Sequence, residues 1–439
     1  LEDLLNLTKF NVIGAGLAGC EAAWQIAQRG GKVRLHEMKP QKKSQAHHID
    51  TFAELVCSNS FRSNSLENAV GLLKEELRRM DSLIIHCADK TSVPAGGALA
   101  VDREAFSSLV TDMINKHKNI EIIYGEVQTI PQGGITIIAT GPLTSDVLSV
   151  EISKLVGDES LYFFDAAAPI VKKDSINMEK AFAASRYNKG SDDYINCPMN
   201  KEEYTKFYNA LISAETAEVK DFDKRLIFEG CMPVEIMAAR GIDTLRYGPM
   251  KPVGIINPHT GTKPYAVVQL RQDNFEGTLF NIVGFQTRLK WSEQKKVFSM
   301  IPGLENAEFV RFGVMHRNTF INSPVLLMPT YRMRKYENIY FAGQITGVEG
   351  YVESTASGLV AGINAYADAY GKKPVVFPKS TAIGALANYI STSSIGDFQP
   401  ININYGIIEQ PINRIRNKRE RYKSISKRAL ELIDSFKTN

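Results

Sequence analysis

Between Asn11 and Glu37 the chain reads NVIGAGLAGCEAAWQIAQRGGKVRLHE, and no other stretch restricts the fold as much. Val12 and Ile13 close a short apolar run of the kind that forms a buried strand. Gly14, Gly16 and Gly19 follow in the pattern G-x-G-x-x-G. From Cys20 to Arg29 apolar residues recur at helical spacing, at Ala22, Ala23, Ile26 and Ala27, until Gly30 and Gly31 stop the helix. Lys32 to Leu35 reads as a second strand, and Glu37 closes it 23 residues after Gly14. A strand, a glycine turn, a helix, a second strand and an acid in this order are the context of a dinucleotide site. Gly14 permits the tight turn, Gly16 lets the backbone approach a pyrophosphate, and Gly19 lets the helix lie close to the sheet. The helix start offers free N–H groups and the positive end of its dipole to phosphate. The carboxylate of Glu37 is placed to accept hydrogen bonds from a ribose. The candidate residues for the cofactor here are Gly14, Ala15, Gly16, Leu17, Ala18, Gly19 and Glu37.

At 439 residues the chain exceeds one simple core, and about two or three domains are expected. A formal charge of +4 is too small to demand a nucleic-acid partner, so the distribution of charge matters more than the total. The five cysteines are Cys20, Cys57, Cys87, Cys197 and Cys231. Their number is odd and none forms a C-x-x-C pair, which argues against a disulfide framework or a zinc site and for a reducing compartment. No apolar run is long enough to span a membrane. The first residues, LEDLLNLTKF, lack the build of a signal peptide, so a cytoplasmic protein is expected.

Residues 40–64 form a connector rich in Ser and Asn that carries His47, His48, Glu54, Cys57 and Arg62, all capable of chemistry. Cys57 is equally readable as a small buried residue. Helical spacing marks residues 67–81, and Asp102 and Arg103 open another helix. GITIIAT, residues 134–140, is a buried strand followed by Gly141 and Pro142. From Ala166 to about Gly313 the texture changes to many aromatics and prolines without a glycine triplet, as expected of an inserted domain. Within it, FEGCMPVEIMAARG places Cys231 just before a helix that Pro233 opens and Gly241 stops. A helix N-terminus favours a thiolate, which makes Cys231 a candidate nucleophile; a merely buried cysteine fits the same placement.

Near the end, NIYFAG is a strand leading into QITGVEGYVESTASGLVAGINA, with a helix expected from about Ser354. A late strand–glycine–helix unit of this kind closes many FAD folds, which favours FAD over NAD and adds Gly343, Gln344 and Gly358 to the cofactor residues. The segment NRIRNKRERYKSISKR, residues 413–428, is strongly basic. It reads either as a grip on a phosphate backbone or as the solvated face of a helix whose apolar side, Ile412, Ile415, Ile425 and Leu430, packs on the protein.

Several of these stretches carry a resemblance that spacing alone does not supply. VIGAGLAGCEAAWQ, FAELVCSNSFRSNS, SVPAGGALAVDR, TIIATGPLTS, FEGCMPVE, YGPMKPVG, GVMHRNTFINSP and FAGQITGVEGYVESTASGLVAG resemble the folate- and FAD-dependent RNA (uracil-5-)-methyltransferases of bacteria, the TrmFO family. The likeness covers nearly the whole chain. The GidA-type flavoproteins share the flavin fold but are not expected to match both cysteine motifs.

The resemblance implies an α/β fold: a glutathione-reductase-like FAD-binding domain in two segments, 1–165 and 314–439, with an inserted α+β domain at 166–313. It implies a reaction in which methylenetetrahydrofolate gives a one-carbon unit, by way of reduced flavin, to C5 of a uridine in RNA, with NAD(P)H as reductant. It implies Cys231 as the thiolate that adds at uracil C6 and Cys57 as the second catalytic thiol. It also places His316, Arg317 and Tyr351 as folate or flavin contacts. The T-loop uridine of tRNA is the expected target. The same chemistry on large-subunit rRNA, a flavin oxidoreductase of a small substrate, and an RNA-binding scaffold with a vestigial flavin fold are the alternatives.

Overall fold

The computed structural model describes residues 9–44, 46–157, 160–166, 168–188, 192–217, 232–313, 315–393, 398–413 and 415–437, with backbone alone at 9, 160–166, 188, 315–319 and 437. Strand β1 (Lys9–Ile13), helix α1 (Leu17–Gln28) and strand β2 (Lys32–Glu37) form the opening unit where the glycine pattern places it. Helix α2 (Ala69–Arg79) follows, then β3 (Ile120–Tyr124) and β4 (Ile135–Ile138). Six strands come next: β5 (Ile170–Lys172), β6 (Phe182–Ala183), β7 (Tyr194–Met199), β8 (Ala266–Gln272), β9 (Leu279–Ile282) and β10 (Phe309–Arg311). The chain closes with β11 (Ile339–Phe341) and helices α3 (Tyr351–Ala369), α4 (Ala382–Thr392) and α5 (Lys418–Lys437).

Two sheets organise these elements. The first has the order β11–β4–β1–β2–β3 and is parallel throughout. Its central strand is covered on both faces, which is why Phe10, Asn11, Val12 and Ile13 are all buried rather than alternating between core and solvent. The second sheet, β6–β7–β8–β9–β5–β10, is antiparallel. Its own core holds Tyr204, Phe207, Phe285 and Phe298, all fully buried. Between the two sheets the chain passes out along 160–166 and back along 315–321, and these stretches pair as an antiparallel ribbon.

Helix α1 is buried almost all round because the parallel sheet lies on one side and α3 on the other. Glycines make that second contact. A methyl group on Gly358 would stand 2.2 Å from the Ala18 carbonyl oxygen, and one on Gly362 would stand 2.7 Å from that of Ala22. The two helix backbones therefore touch, and only hydrogen fits between them.

Buried Glu21 ties α1 to the next layer. Its carboxyl accepts from Gln25 Nε2 at 2.8 Å, Ser82 Oγ at 2.7 Å and Ile84 N at 3.1 Å. Burial pushes it from an ordinary 4.5 up to about 7. Between those values the folded chain keeps a proton that the unfolded chain has lost. The stabilisation is complete below the unfolded value and is lost as pH rises through about 7. Glu21→Gln keeps a carbonyl acceptor and cannot ionise. Its melting temperature is expected to fall less than that of the wild type between about pH 5 and about pH 8. Parallel melting curves for the two proteins over that range would contradict this. Some slope remains in the variant from buried Glu76, raised to about 8, which accepts from Ala382 N and Ile383 N at the start of α4.

Helix α3 starts at Tyr351, three residues before the expected Ser354, because Gly350 turns the chain with φ +111°. Helix α5 packs on α2 through Ile425, Ala429 and Ile433, all fully buried. Ile412 does not join that face and is fully exposed.

Candidate functional site

A cleft opens at the C-terminal ends of the parallel strands, where ligands bind in open α/β sheets. Gly14, Ala15, Gly16, Leu17 and Ala18 form one wall, Glu37 stands at the next strand end, and Gly343, Gln344 and Tyr351 come from the late unit. Gly14 turns at φ +100° and donates to the His36 carbonyl at 2.8 Å. A methyl group on it would meet the Ala139 carbonyl oxygen at 2.7 Å. At Gly16, the residue before α1, the same methyl would meet nothing within 4 Å, so this backbone faces open space over the helix start. Gly19 and Gly358 do not line the cleft. A methyl on Gly19 would lie 1.8 Å from the Gly14 carbonyl oxygen. These two shape the wall by close packing instead.

Glu37 is held rigidly. Its Oε2 accepts from Ala15 N at 3.0 Å and its Oε1 from Lys39 N at 2.9 Å, with the side chain buried. Two backbone donors leave each carboxylate oxygen a lone pair for another group. Gly343 turns at φ +83°, and its N–H donates to Ser357 Oγ at 2.6 Å. Gln344 Nε2 donates to Glu349 Oε2 at 2.6 Å. The floor also includes residues the sequence singled out weakly or not at all: Gly125 to Val127 after β3, and Thr140 to Thr144 after β4. For Thr140 to Thr144 the signals were the A-T-G after β4 and the stretch TIIATGPLTS.

Cys57 sits half-buried beside this cleft, on the loop before the strand Ser60–Ser63. The Tyr351 hydroxyl lies 3.0 Å from Cys57 N, 3.0 Å from Cys57 Sγ and 3.1 Å from Ser58 N. The second sheet and the helices beside the first grip the loop. Arg271 of β8 donates to Asn59 Oδ1 at 3.1 Å and Ser58 Oγ at 2.8 Å. Asn59 Nδ2 donates to the carbonyls of Val101 and Gln272, each at 3.0 Å. Arg103 pairs with Asp273 at 2.9 Å and donates to the Leu55 carbonyl. Lys74 of α2 is fully buried and donates to the carbonyls of Phe61, Arg62 and Ser63. Arg62, at φ +62°, is paired with Glu353 of α3. Sequence reading named Arg62 as capable of chemistry and Arg103 only as a helix start, and it did not single out Lys74 or Arg271; the partners of Arg103 and Arg271 lie far away along the chain.

Elsewhere on the connector, Glu54 accepts from His48 N at 2.9 Å and lies 3.7 Å from Lys39 Nζ. His47 Nδ1 meets Ser44 Oγ at 2.6 Å. Cys20, Cys87 and Cys197 are fully buried, and burial pushes the thiols of Cys87 and Cys197 up to about 12. That leaves them inert.

Cys231 lies outside the described residues. The chain resumes at Met232, and Pro233 caps a short helix, Val234–Ala238, rather than opening it as its first residue. Val234 N donates to the Gln286 carbonyl at 2.7 Å, and Glu235 accepts from Thr287 Oγ1 at 2.8 Å, which anchors this segment to the second sheet. His316 and Arg317 pair with Asp165 and Phe164 in the ribbon, and only their backbone is described.

Residues 9–373 match the family model of glucose inhibited division protein A. The methylenetetrahydrofolate–tRNA-(uracil-5-)-methyltransferase TrmFO of Acetivibrio thermocellus is 68% identical over 426 residues, covering 97% of this chain and 98% of that protein. Proteins of the same description from Pelotomaculum thermopropionicum and Bacillus pumilus are 63% and 62% identical with the same coverage. GidA of Aquifex aeolicus has a TM-score of 0.68 at 16% identity, over 97% of this chain and 73% of that chain, a likeness of fold.

Proposed function

This chain belongs to the TrmFO family, within the broader family of glucose inhibited division protein A, and we propose from that membership that it methylates C5 of a uridine in tRNA. The observation that carries the reading is identity of 68% along almost the full length of a protein so described. The one-carbon unit comes from methylenetetrahydrofolate, FAD is the resident cofactor and NAD(P)H is the reductant.

The residues of the cleft fit FAD. The open space at Gly16 and the free N–H groups at the start of α1 suit a pyrophosphate. Glu37 is fixed where a ribose would lie, and Gly343 and Gln344 close the flavin end. When bound, FAD supplies redox chemistry and carries the one-carbon unit between folate and uracil.

The protein's own residues supply the rest. C5 of uracil is a weak nucleophile. A thiolate adding at C6 pushes electron density onto C5, and Cys231 is that thiolate in this reading. The C5 hydrogen then leaves as a proton, which requires a base, and Cys57 takes it. His316, Arg317 and Tyr351 belong to the folate and flavin side of the site. We divide the chain at 165/166 and 313/314 into a two-segment FAD domain and an insertion. The separate cores of the two sheets and the ribbon between them support that division. We place the protein in the cytoplasm, where its buried thiols Cys20, Cys87 and Cys197 stay reduced. No helix among the described residues is long and apolar enough to cross a membrane.

The donor tests the reading. Unmodified tRNA incubated with the protein, methylenetetrahydrofolate and NADPH is expected to gain 5-methyluridine. Replacing the folate by S-adenosylmethionine is expected to give none. Methylation from S-adenosylmethionine alone, or none from the folate with FAD bound and reducible, would contradict it.

A further inference from the structure

We propose that Tyr351 is a positioning residue that keeps the sulfur of Cys57 in its proton-accepting state. The argument rests on the direction of one hydrogen bond. The Tyr351 hydroxyl oxygen has three neighbours: Cys57 N at 3.0 Å, Ser58 N at 3.1 Å and Cys57 Sγ at 3.0 Å. The two backbone N–H groups can only donate. A hydroxyl oxygen accepts two donors on its lone pairs and carries one proton of its own. With both lone pairs engaged, the third contact is the tyrosine proton donated to Sγ. Cys57 therefore stands as the acceptor, and a hydrogen bond to an ionised acceptor is stronger than one to its neutral form.

The surroundings act the same way. Arg103, at the first turn of the helix Arg103–Lys116, and Arg311, at the end of β10, both feel the charge of Cys57. Arg311 Nη2 is buried and has no hydrogen-bond partner among the described residues. Arg271 acts on Tyr351 from β8. Against these cations stand Asp273, paired with Arg103, and Glu54, beside Lys39. Among the described residues, these named groups sum to a positive excess. Tyr351 itself is held well above the ordinary phenol value by burial and by the neighbouring sulfur, so it stays a neutral donor.

The inference rests on Cys57 as the residue that takes the C5 proton. In that step the C5–H bond breaks. Its electron pair forms the C5=C6 double bond as the Cys231 sulfur leaves C6 with the pair of the old C–S bond, and the proton goes to Cys57 Sγ. A sulfur that already carries a proton cannot do this. Tyr351 provides the hydrogen bond that leaves the sulfur unprotonated beforehand.

Alkylation of Cys57 by iodoacetamide, followed in its own peptide by mass spectrometry across pH on the FAD-loaded protein without RNA or folate, tests this without turnover. Tyr351→Phe keeps the ring and removes only the hydroxyl. Its alkylation midpoint is expected about one pH unit above that of the wild type, a roughly tenfold loss of thiolate on the acid side. The acid limb of kcat is expected to move in the same direction with KM for tRNA unchanged. Superimposable alkylation profiles would overturn the proposal, as would faster alkylation at every pH with no shift of midpoint, the mark of a merely loosened loop. Should Tyr351→Phe lose FAD, 3-fluorotyrosine at position 351 gives the second measurement. As a stronger donor it is expected to lower the midpoint, and an unmoved midpoint would overturn the proposal. Turnover by Cys57→Ala would instead reject the base assignment, an outcome separate from the alkylation result.

Discussion

Cys57→Ala is expected to bind FAD as the wild type does and to lose methyl transfer by about a thousandfold or more, the scale on which a positioned proton acceptor contributes. Loss of the thiol leaves the fold intact because its loop is held by other groups. Arg271, Asn59, Arg103 and Lys74 fix residues 55–63 through bonds that do not involve the sulfur. The Tyr351 hydroxyl also keeps its two backbone donors, Cys57 N and Ser58 N. Reduction of bound FAD by NADPH should therefore persist in the variant, separating the redox half of the reaction from the transfer half. Methylation within about tenfold of the wild-type rate would remove Cys57 from the chemistry and leave its placement beside the cleft as packing alone.

Gly358→Ala is expected to damage the cofactor site severely, although Gly358 does not touch the cleft. Its new methyl group would lie 2.2 Å from the Ala18 carbonyl oxygen and 2.9 Å from the Ala18 backbone carbons. These are backbone atoms, so no rotamer change relieves the clash. Helices α1 and α3 must separate, and α1 carries the Gly16 to Ala18 wall with it. Overpacking of this kind costs about 3 kcal/mol, at the upper end of what cores tolerate. The expected result is a lowered melting temperature together with purification largely free of FAD. Gly97→Ala, where the methyl meets nothing within 4 Å, is the control and should retain both. A Gly358→Ala protein with normal FAD content would mean that α1 and α3 can slide apart without disturbing the turn.

The opening unit was legible in the sequence because its signals are local. The tight turn at Gly14, the start of α1 and the acid at Glu37 all fall within one βαβ stretch, and each is fixed by a residue whose chemistry has few alternatives. The late unit was legible to within three residues, and the discrepancy is Gly350, whose positive φ starts α3 at Tyr351. What could not be read is what long-range packing decides. Tyr351 meets Cys57 across 294 residues of sequence, and Arg271 reaches Asn59 across 212. No spacing rule links such pairs. Gly19 and Gly358 show a different gap: their residue type announced a close approach, but not whether the partner was a ligand or another backbone. The basic run at the C-terminus reads on sequence either as a grip on a phosphate backbone or as the solvated face of a packed helix; its described part has a buried side at Ile425 and Leu430 and ion pairs such as Arg419 with Glu67.

The most direct measurement follows label from methylene-labelled tetrahydrofolate, with NADPH, into two unmodified transcripts, a tRNA and a fragment of large-subunit rRNA. Label in the tRNA, recovered as 5-methyluridine, is the expected result. Label confined to the rRNA would contradict the substrate. Label in neither, with FAD bound and reducible, would contradict the methyl transfer itself and leave a flavin oxidoreductase of another substrate.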